Sequence, residues 1–197
     1  MKSFLEKPAG KLKPNKATSQ PWKDITMDFI TGLPEAQEYN VLFITCCHHT
    51  KQAHIIPISM TTSARGLATL FRDYIWKLHG LPETALLDRG PQFAAEFMKK
   101  LNEILGIKTK LSIAYHLQTN GQTEQVNQKI KRYLRMFISH RQNDWSEWIT
   151  CTEFTYNNKI HTATHISPFF ANYGMNPRMG MEPWRAGKSE PAKEFAE

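Results

Sequence analysis

The sequence predicts an α/β fold with a five-stranded mixed sheet, three strands antiparallel and two parallel, and with helices on both faces. Two observations carry this prediction. Before residue 60, three short segments rich in β-branched and aromatic residues are joined by short connections, which is typical of an antiparallel meander. After residue 60, segments of helical periodicity alternate with short apolar segments, which indicates parallel strands linked by helices.

The meander strands are predicted at Ile25–Ile30, Val41–Cys46 and Ala53–Ile58, with turn-prone glycine, proline and asparagine residues between the first two. The first of these strands is expected to be central, and it carries Asp28 between apolar neighbours. A central strand seldom carries an acid without a functional reason, and the alternative is an edge-strand acid that faces solvent.

The remaining elements follow in chain order. The sequence predicts helices and two further strands at Ser63–His79 (helix), Thr84–Leu87 (strand), Gln92–Leu105 (helix), Ile107–Ile113 (strand), Thr123–His140 (helix), Trp145–Asn158 (helix) and Pro168–Tyr173 (helix). Tyr115–Gly121 is predicted to be a polar loop. Asp88 directly follows the fourth strand, at the strand end where ligands of α/β sheets tend to bind.

A polar face is predicted on the helix that follows this loop. Residues at helical spacing share it: Asn120, Glu124, Asn127, Gln128 and Lys131. An acid, amides and a cation on one face suit contact with a phosphodiester backbone, whereas the alternative is an ordinary solvated helix face. Glu124 is separated from Asp88 by 35 residues.

Several motifs together resemble the integrase catalytic core of gypsy-type LTR retrotransposons and retroviruses. They occur in the family's order and cover roughly residues 21 to 177: PWKDITMDFITGLP, KQAHIIP, LHGLPE, LDRGPQF, LGIKTKLSIAYHLQTNGQTEQVNQ, EFTYNNKIHTAT and SPFFANYG. The resemblance implies an RNase H-like architecture for a core at 21–177, with a basic arm at 1–20 and a loose tail at 178–197.

The resemblance also implies a reaction. Asp28, Asp88 and Glu124 would be the catalytic residues and would hold two divalent ions, and their oxygen ligands favour Mg²⁺ or Mn²⁺. The implied enzyme is a metal-dependent polynucleotidyl transferase of the endonuclease type. It would process the 3′ ends of retroelement DNA and join them to target DNA by in-line displacement.

Partners and further contacts follow from the same resemblance. DNA is expected near Asn120, Lys131 and the loop residues Tyr115 and His116, and the rest of the polar face, Asn127 and Gln128, is included in this DNA-binding set. Alternatives are that Lys131 is an ordinary surface lysine and that Tyr115 packs. At least a homodimer is expected, because two DNA ends must be joined.

The chain departs from the family's pattern outside the triad. The family usually has an Asp-Arg pair where His48 and His49 stand, proline at Leu117 and often aspartate at Asn120. It also has a zinc-binding module with a His pair and a Cys-x-x-Cys pair before the basic arm. That pattern does not precede the predicted core in this sequence, so a fragment or a truncated gene is expected.

Composition and charge bear on the partners and the cellular location of the protein. The net charge of +7 suits a polyanionic partner, although many proteins that bind none are equally basic. Three cysteines without a disulfide framework, no signal peptide and no apolar run near the ~20 residues of a membrane span predict an intracellular protein outside the membrane. It would be nuclear when it acts on chromosomal DNA.

Cys46, Cys47, His48 and His49 are consecutive, and neighbours on a strand point in opposite directions. They are therefore interpreted as two buried thiols and two strand-end histidines instead of a zinc site. Two functions compete with an active integrase core. One is a catalytically retired or domesticated DNA-binding or interaction domain, and the other is a simple nuclease of the same fold.

Overall fold

The computed structural model describes residues 20–87, 91–106, 111–114, 120–137 and 143–180, and these have a mixed α/β fold, as predicted. One sheet has the strand order β3-β2-β1-β4-β5. Its strands are β1 (Asp24–Ile30), β2 (Val41–Cys47), β3 (Ala53–Ile58), β4 (Thr84–Leu87) and β5 (Ser112–Ala114). Strands β1 to β3 form an antiparallel meander, and β4 is parallel to β1 and β5. The predicted central position of β1 is confirmed.

The helices follow in chain order. Their bounds are α1 (Ala64–Phe71), a π-helical turn (Arg72–Trp76), α2 (Lys77–His79), α3 (Pro91–Leu105), α4 (Asn120–Phe137), a 3₁₀ turn (Trp145–Trp148), α5 (Ile149–Asn158) and α6 (Pro168–Tyr173). Ser63 caps α1, because its hydroxyl accepts a hydrogen bond from the Gly66 amide at 3.2 Å.

Two boundaries predicted from the sequence are wrong. Asn120 and Gly121 belong to α4 and not to the predicted loop, since extending a nucleated helix adds one hydrogen bond for each residue fixed. Strand β5 begins at Ser112, later than predicted, because Ser112 pairs with Thr84, the first residue of β4. Leu111 therefore has no strand residue of β4 to pair with. Residues 107–110 and 115–119 lie outside the described residues.

Apolar side chains cover both faces of the sheet. On β2, Phe43 belongs to one buried cluster and Ile44 to the other, because successive strand residues point to opposite faces. The first cluster includes residues of α1 and α3, such as Phe71 and Phe97, and the second includes residues of α4 and α5, such as Ile130. Each such side chain contributes about 1.5–3 kcal/mol when buried. The sheet is thus held rigidly between two helical layers.

The predicted helix Ser63–His79 is not a continuous α-helix. The π-helical turn inserts an extra residue after α1, so later side chains rotate out of the expected register. Ile75 remains fully buried, whereas Tyr74 and Leu78, which follow the apolar i, i+3, i+4 pattern of a regular helix, are 50% and 56% exposed.

Helix α5 covers the outer edge of β3. The side-chain amide of Asn157 donates to the Ala53 carbonyl at 2.8 Å, and its oxygen accepts from the Ala53 amide at 2.9 Å. The Glu153 carboxylate accepts from the Ile55 amide at 2.8 Å. Helix side chains therefore pair backbone groups that a neighbouring strand would otherwise pair.

Glu153 also begins a chain of polar contacts. Its other oxygen lies 3.0 Å from Nδ1 of His54, and Nε2 of His54 lies 2.8 Å from Nε2 of His79. The Trp22 ring stacks on His79 with 3.8 Å between ring centroids. Burial, and secondly the neighbouring His54, lower the pKa of His79 to about 3. This chain ties together β3, α5 and the end of α2.

The two adjacent thiols are buried, as predicted. Burial raises the pKa of Cys46 to about 12, so this thiol remains protonated. The Cys47 sulfur accepts from the Trp22 amide at 3.1 Å. His48 and His49 lie in the turn after β2, and His49 is exposed. In the part of the chain that the structure describes, no helix has the length and apolar character needed to span a bilayer.

Candidate metal centre

Asp28 lies on the central strand β1, where it pairs with Ile44 of β2. Its carboxylate is partly buried, and both of its oxygens have protein donors. Oδ1 accepts from the Phe29 amide at 2.8 Å, and Oδ2 accepts from the side-chain amide of Asn127. A rigid strand and two donors fix the direction of this carboxylate, which is what a metal ligand requires.

Asn127 reaches Asp28 because of how α4 packs. Val126, Ile130 and Leu134 are buried against the sheet, which places Asn127 at the border of the buried face. Its Nδ2 faces Asp28, so its Oδ1 points away. That oxygen is buried and has no hydrogen-bond partner among the described residues. A buried acceptor without a donor is the kind of group that an ordered water or a cation satisfies.

Strand pairing bears on the second predicted ligand. Strands β1 and β4 are parallel, and Met27 of β1 is in register with Leu87 of β4. Asp28 directly follows Met27, and Asp88 directly follows Leu87 in the sequence. Asp88 itself lies outside the described residues.

The third predicted ligand belongs to α4. Glu124 precedes Asn127 by three residues, which is about one helical turn. Its side chain lies outside the described part of the structure. Asn127, which contacts Asp28, therefore lies about one turn from the predicted ligand Glu124 on the same helix.

The residues present fit a hard divalent cation. Asp28 supplies carboxylate oxygens, and the Asn127 side chain that contacts it carries a further oxygen, Oδ1, without a partner among the described residues, so the ligand atoms available here are oxygens. Mg²⁺ and Mn²⁺ prefer such ligands, whereas zinc favours nitrogen and sulfur. Among the described residues, no group of three or more His, Cys, Asp or Glu side chains is placed to hold a metal. The predicted triad is not tested by this, since two of its side chains are outside those residues.

A basic groove of about 430 Å³ adjoins the end of β1. Lys131 and Arg135 of α4 line one side, and the segment 31–34 lines the other. Trp145 closes the groove and is fixed there, because its indole N–H donates to the Pro34 carbonyl at 2.7 Å. The groove therefore presents two cations on the helix that also contacts Asp28.

Known proteins resemble this chain in sequence and in fold. No model of a known protein family matches it. The Tf2-3 and Tf2-4 transposon polyproteins of Schizosaccharomyces pombe are each 33% identical to it over 178 residues, or 90% of this chain. The chain spans 13% of the length of these polyproteins.

Retroviral proteins are among the solved structures with a similar fold. The catalytic core of HTLV-2 integrase in complex with magnesium has a TM-score of 0.58 at 14% identity, covering 78% of this chain and 97% of that core. The chain of a simian T-cell lymphotropic virus intasome has a TM-score of 0.63 at 16% identity, covering 88% of this chain and 61% of that one. This chain is a homologue of retrotransposon polyproteins with the fold of an integrase catalytic core.

The structure describes some of the predicted site residues and not others. Asp28 and Asn127 are in contact, Lys131 lines the basic groove, and Gln128 is exposed on α4. Asn120 begins α4, but its side chain lies outside the described part of the structure, as do Tyr115 and His116 entirely.

Arg135 is not among the residues predicted from the sequence. Its spacing of four from Lys131 places both cations on one face of α4, and this spacing was the available signal. The hydrogen bond from Asn127 to Asp28 had no such signal, because it joins residues 99 positions apart.

Proposed function

We propose that this chain is the catalytic core of a retroelement integrase, a metal-dependent polynucleotidyl transferase. It would trim the 3′ ends of element DNA and join them to target DNA. The observation that carries the proposal is the contact between Asp28 on the central strand and Asn127 on α4. This contact involves one predicted ligand and lies about one helical turn from another, Glu124. The register of Met27 with Leu87 supports a similar position for Asp88.

Each group in the proposed site has a distinct task. Asp28, Asp88 and Glu124 would hold two Mg²⁺ or Mn²⁺ ions, which when bound activate the attacking oxygen and stabilise the leaving oxygen. Asn127 orients the Asp28 carboxylate by its hydrogen bond. Lys131 and Arg135 would attract the DNA backbone at the groove beside this site.

The related structures support two further parts of this proposal, the use of a divalent metal and self-association. Magnesium is bound in the HTLV-2 integrase core, whose fold this chain shares, and that core occurs in dimeric and trimeric forms. We therefore include divalent-metal dependence and at least a homodimer in the proposal. Action on chromosomal DNA would place the protein in the nucleus.

The test is Mn²⁺-dependent disintegration, the reversal of strand transfer on a branched DNA, compared between the wild type and Glu124→Gln. The wild type should resolve the branched DNA, and the variant should lose at least about 100-fold in rate, because the amide is a poorer ligand than the carboxylate. Glu96→Gln on α3, an exposed carboxylate, is the matched control and should retain full activity.

Three results would count against the proposal. Equal rates in the wild type and Glu124→Gln would remove Glu124 from the site. A wild type that neither reacts nor binds Mn²⁺ in calorimetry would leave a retired core. Metal-dependent nicking without joining would indicate a simple nuclease.

A further inference from the structure

A second groove lies between α4 and the segment around the end of α5, and we call it the α4–α5 groove. Its volume is about 280 Å³, and its lining includes Lys129, Arg132 and Lys159. Lys129 follows Asn127 by two residues, or about 200° around a helix, so it lies on the flank of α4 away from Asp28. The α4–α5 groove is therefore separate from the candidate metal centre.

Neutral partners hold two of these cations in place. The Lys129 ammonium lies 3.0 Å from Nε2 of His161 and 3.5 Å from the hydroxyl of Thr162. The Lys159 ammonium lies over the Tyr133 ring, 5.5 Å from its centroid. An imidazole, a hydroxyl and an aromatic ring orient a cation without cancelling its charge.

The charge in the groove is not balanced by its walls. None of the described residues that line the groove carries a carboxylate. Burial lowers the pKa of Lys129, and repulsion from Lys159 adds to this effect against an opposing contribution from Cys46. Burial, followed by Lys129 and Lys51, lowers the pKa of His161 to about 4, so its ring is uncharged at neutral pH. A bound anion would relieve this repulsion.

We propose that the α4–α5 groove binds phosphate groups of a nucleic-acid backbone without the help of a metal. An arginine fork and two lysine ammonium groups are the side chains that recognise phosphate oxygens. Arg132 and Lys159 are exposed and come from opposite sides of the groove, so the cations line an open path instead of enclosing one ion. This site goes beyond the proposed function, since it needs neither the acidic residues nor the reaction.

The test measures binding of a short fluorescein-labelled DNA duplex by fluorescence anisotropy in EDTA, so that no divalent ion contributes. The groove variant is Arg132→Glu with Lys159→Glu. The charge-matched control is Lys77→Glu with Lys99→Glu, two exposed lysines on α2 and α3. We expect the groove variant to bind at least about 10-fold more weakly than the control at low salt. A plot of the logarithm of its duplex association constant against the logarithm of salt concentration should have a slope smaller in magnitude by about 2. Each of the two lost phosphate contacts accounts for about 0.9 of this change.

A conservative variant keeps the test independent of folding. Arg132→Lys with Lys159→Arg preserves both charges and should retain duplex binding within about threefold, a change of under 1 kcal/mol. Thermal melting should show unchanged folding in the groove variant and the conservative variant, because the Arg132 and Lys159 side chains are exposed. Because duplex binding is measured in EDTA, it does not depend on the metal-dependent reaction, so failure of this inference and failure of the proposed reaction are distinguishable.

Two outcomes would overturn the inference. Equal losses in the groove variant and the control would show that only the overall positive charge attracts DNA. Calorimetric binding of inorganic phosphate to the wild type and not to the groove variant, with duplex affinity unchanged between them, would identify a small phosphate as the ligand and reject the nucleic-acid backbone.

Discussion

Asn127 on α4 donates its side-chain amide to the carboxylate of Asp28 on β1, 99 residues earlier in the chain. The other Asp28 oxygen is occupied by the Phe29 amide. The carboxylate is thus oriented by one donor from its own strand and one from the opposing helix. The same contact leaves Oδ1 of Asn127 buried and without a partner among the described residues.

Asn127→Ala should separate metal affinity from folding. Loss of the donor should weaken Mn²⁺ binding and disintegration by about 10- to 100-fold, because an unoriented ligand binds less well. The melting temperature should change little, since the substitution also removes an unpaired buried oxygen. Calorimetry and thermal melting measure the two effects. Asn143→Ala, an exposed amide outside the site, is the control; unchanged Mn²⁺ affinity in Asn127→Ala would refute the orienting role.

Acidification should destabilise the protein through His79. Its pKa in the folded chain is about 3, below the ordinary value of 6.5, so the unfolded chain binds the additional proton. The contribution of neutral His79 to the free energy of unfolding is therefore fully present above pH 6.5 and is lost as the pH falls from about 6.5 toward 3. His161, with a pKa of about 4, acts in the same direction.

The measurement is urea unfolding of the wild type and His79→Gln across this pH range. The variant should have the shallower dependence of unfolding free energy on pH. The difference cannot exceed about 1.4 kcal/mol per pH unit for one proton, and solvent screening lowers it for a partly exposed ring. His49→Gln, at an exposed histidine, should follow the wild type. Parallel curves for the wild type and His79→Gln would disprove this account.

The π-helical turn makes a prediction about two neighbouring apolar residues. Ile75→Ala should lower the unfolding free energy by about 2–5 kcal/mol, because it leaves a cavity at a fully buried position. Leu78→Ala should change it by no more than about 0.5 kcal/mol, because Leu78 is 56% exposed. Urea titrations compare them directly. Comparable losses at both positions would mean that the helix continues without the inserted residue.

Much of the fold was predictable because local patterns determine it. Strands β1 to β4 lie within one residue of the predicted bounds, since β-branched segments and turn residues mark both their ends. The central place of Asp28 followed from the meander and the crossover after it. The π-helical turn was not predictable, because an apolar pattern at positions such as Tyr74 and Leu78 fits a regular helix equally well.

Sequence patterns mark individual residues of the candidate site but not the contacts between them. The acid at Asp28 and the polar face of α4 are visible as patterns, but the direction of a side chain depends on packing between distant elements. The contacts among His54, His79 and Glu153 were missed for this reason, because three separate elements supply them and no sequence spacing connects them.

The side chains of α5 that pair with β3 have a consequence for association between copies of the chain. An open strand edge is a template on which another molecule can add a strand, and natural proteins cover or interrupt such edges. Asn157 imitates a peptide group at Ala53, and Glu153 occupies the next outward-facing amide at Ile55. Helix α5 therefore protects this border of the sheet against intermolecular β-pairing.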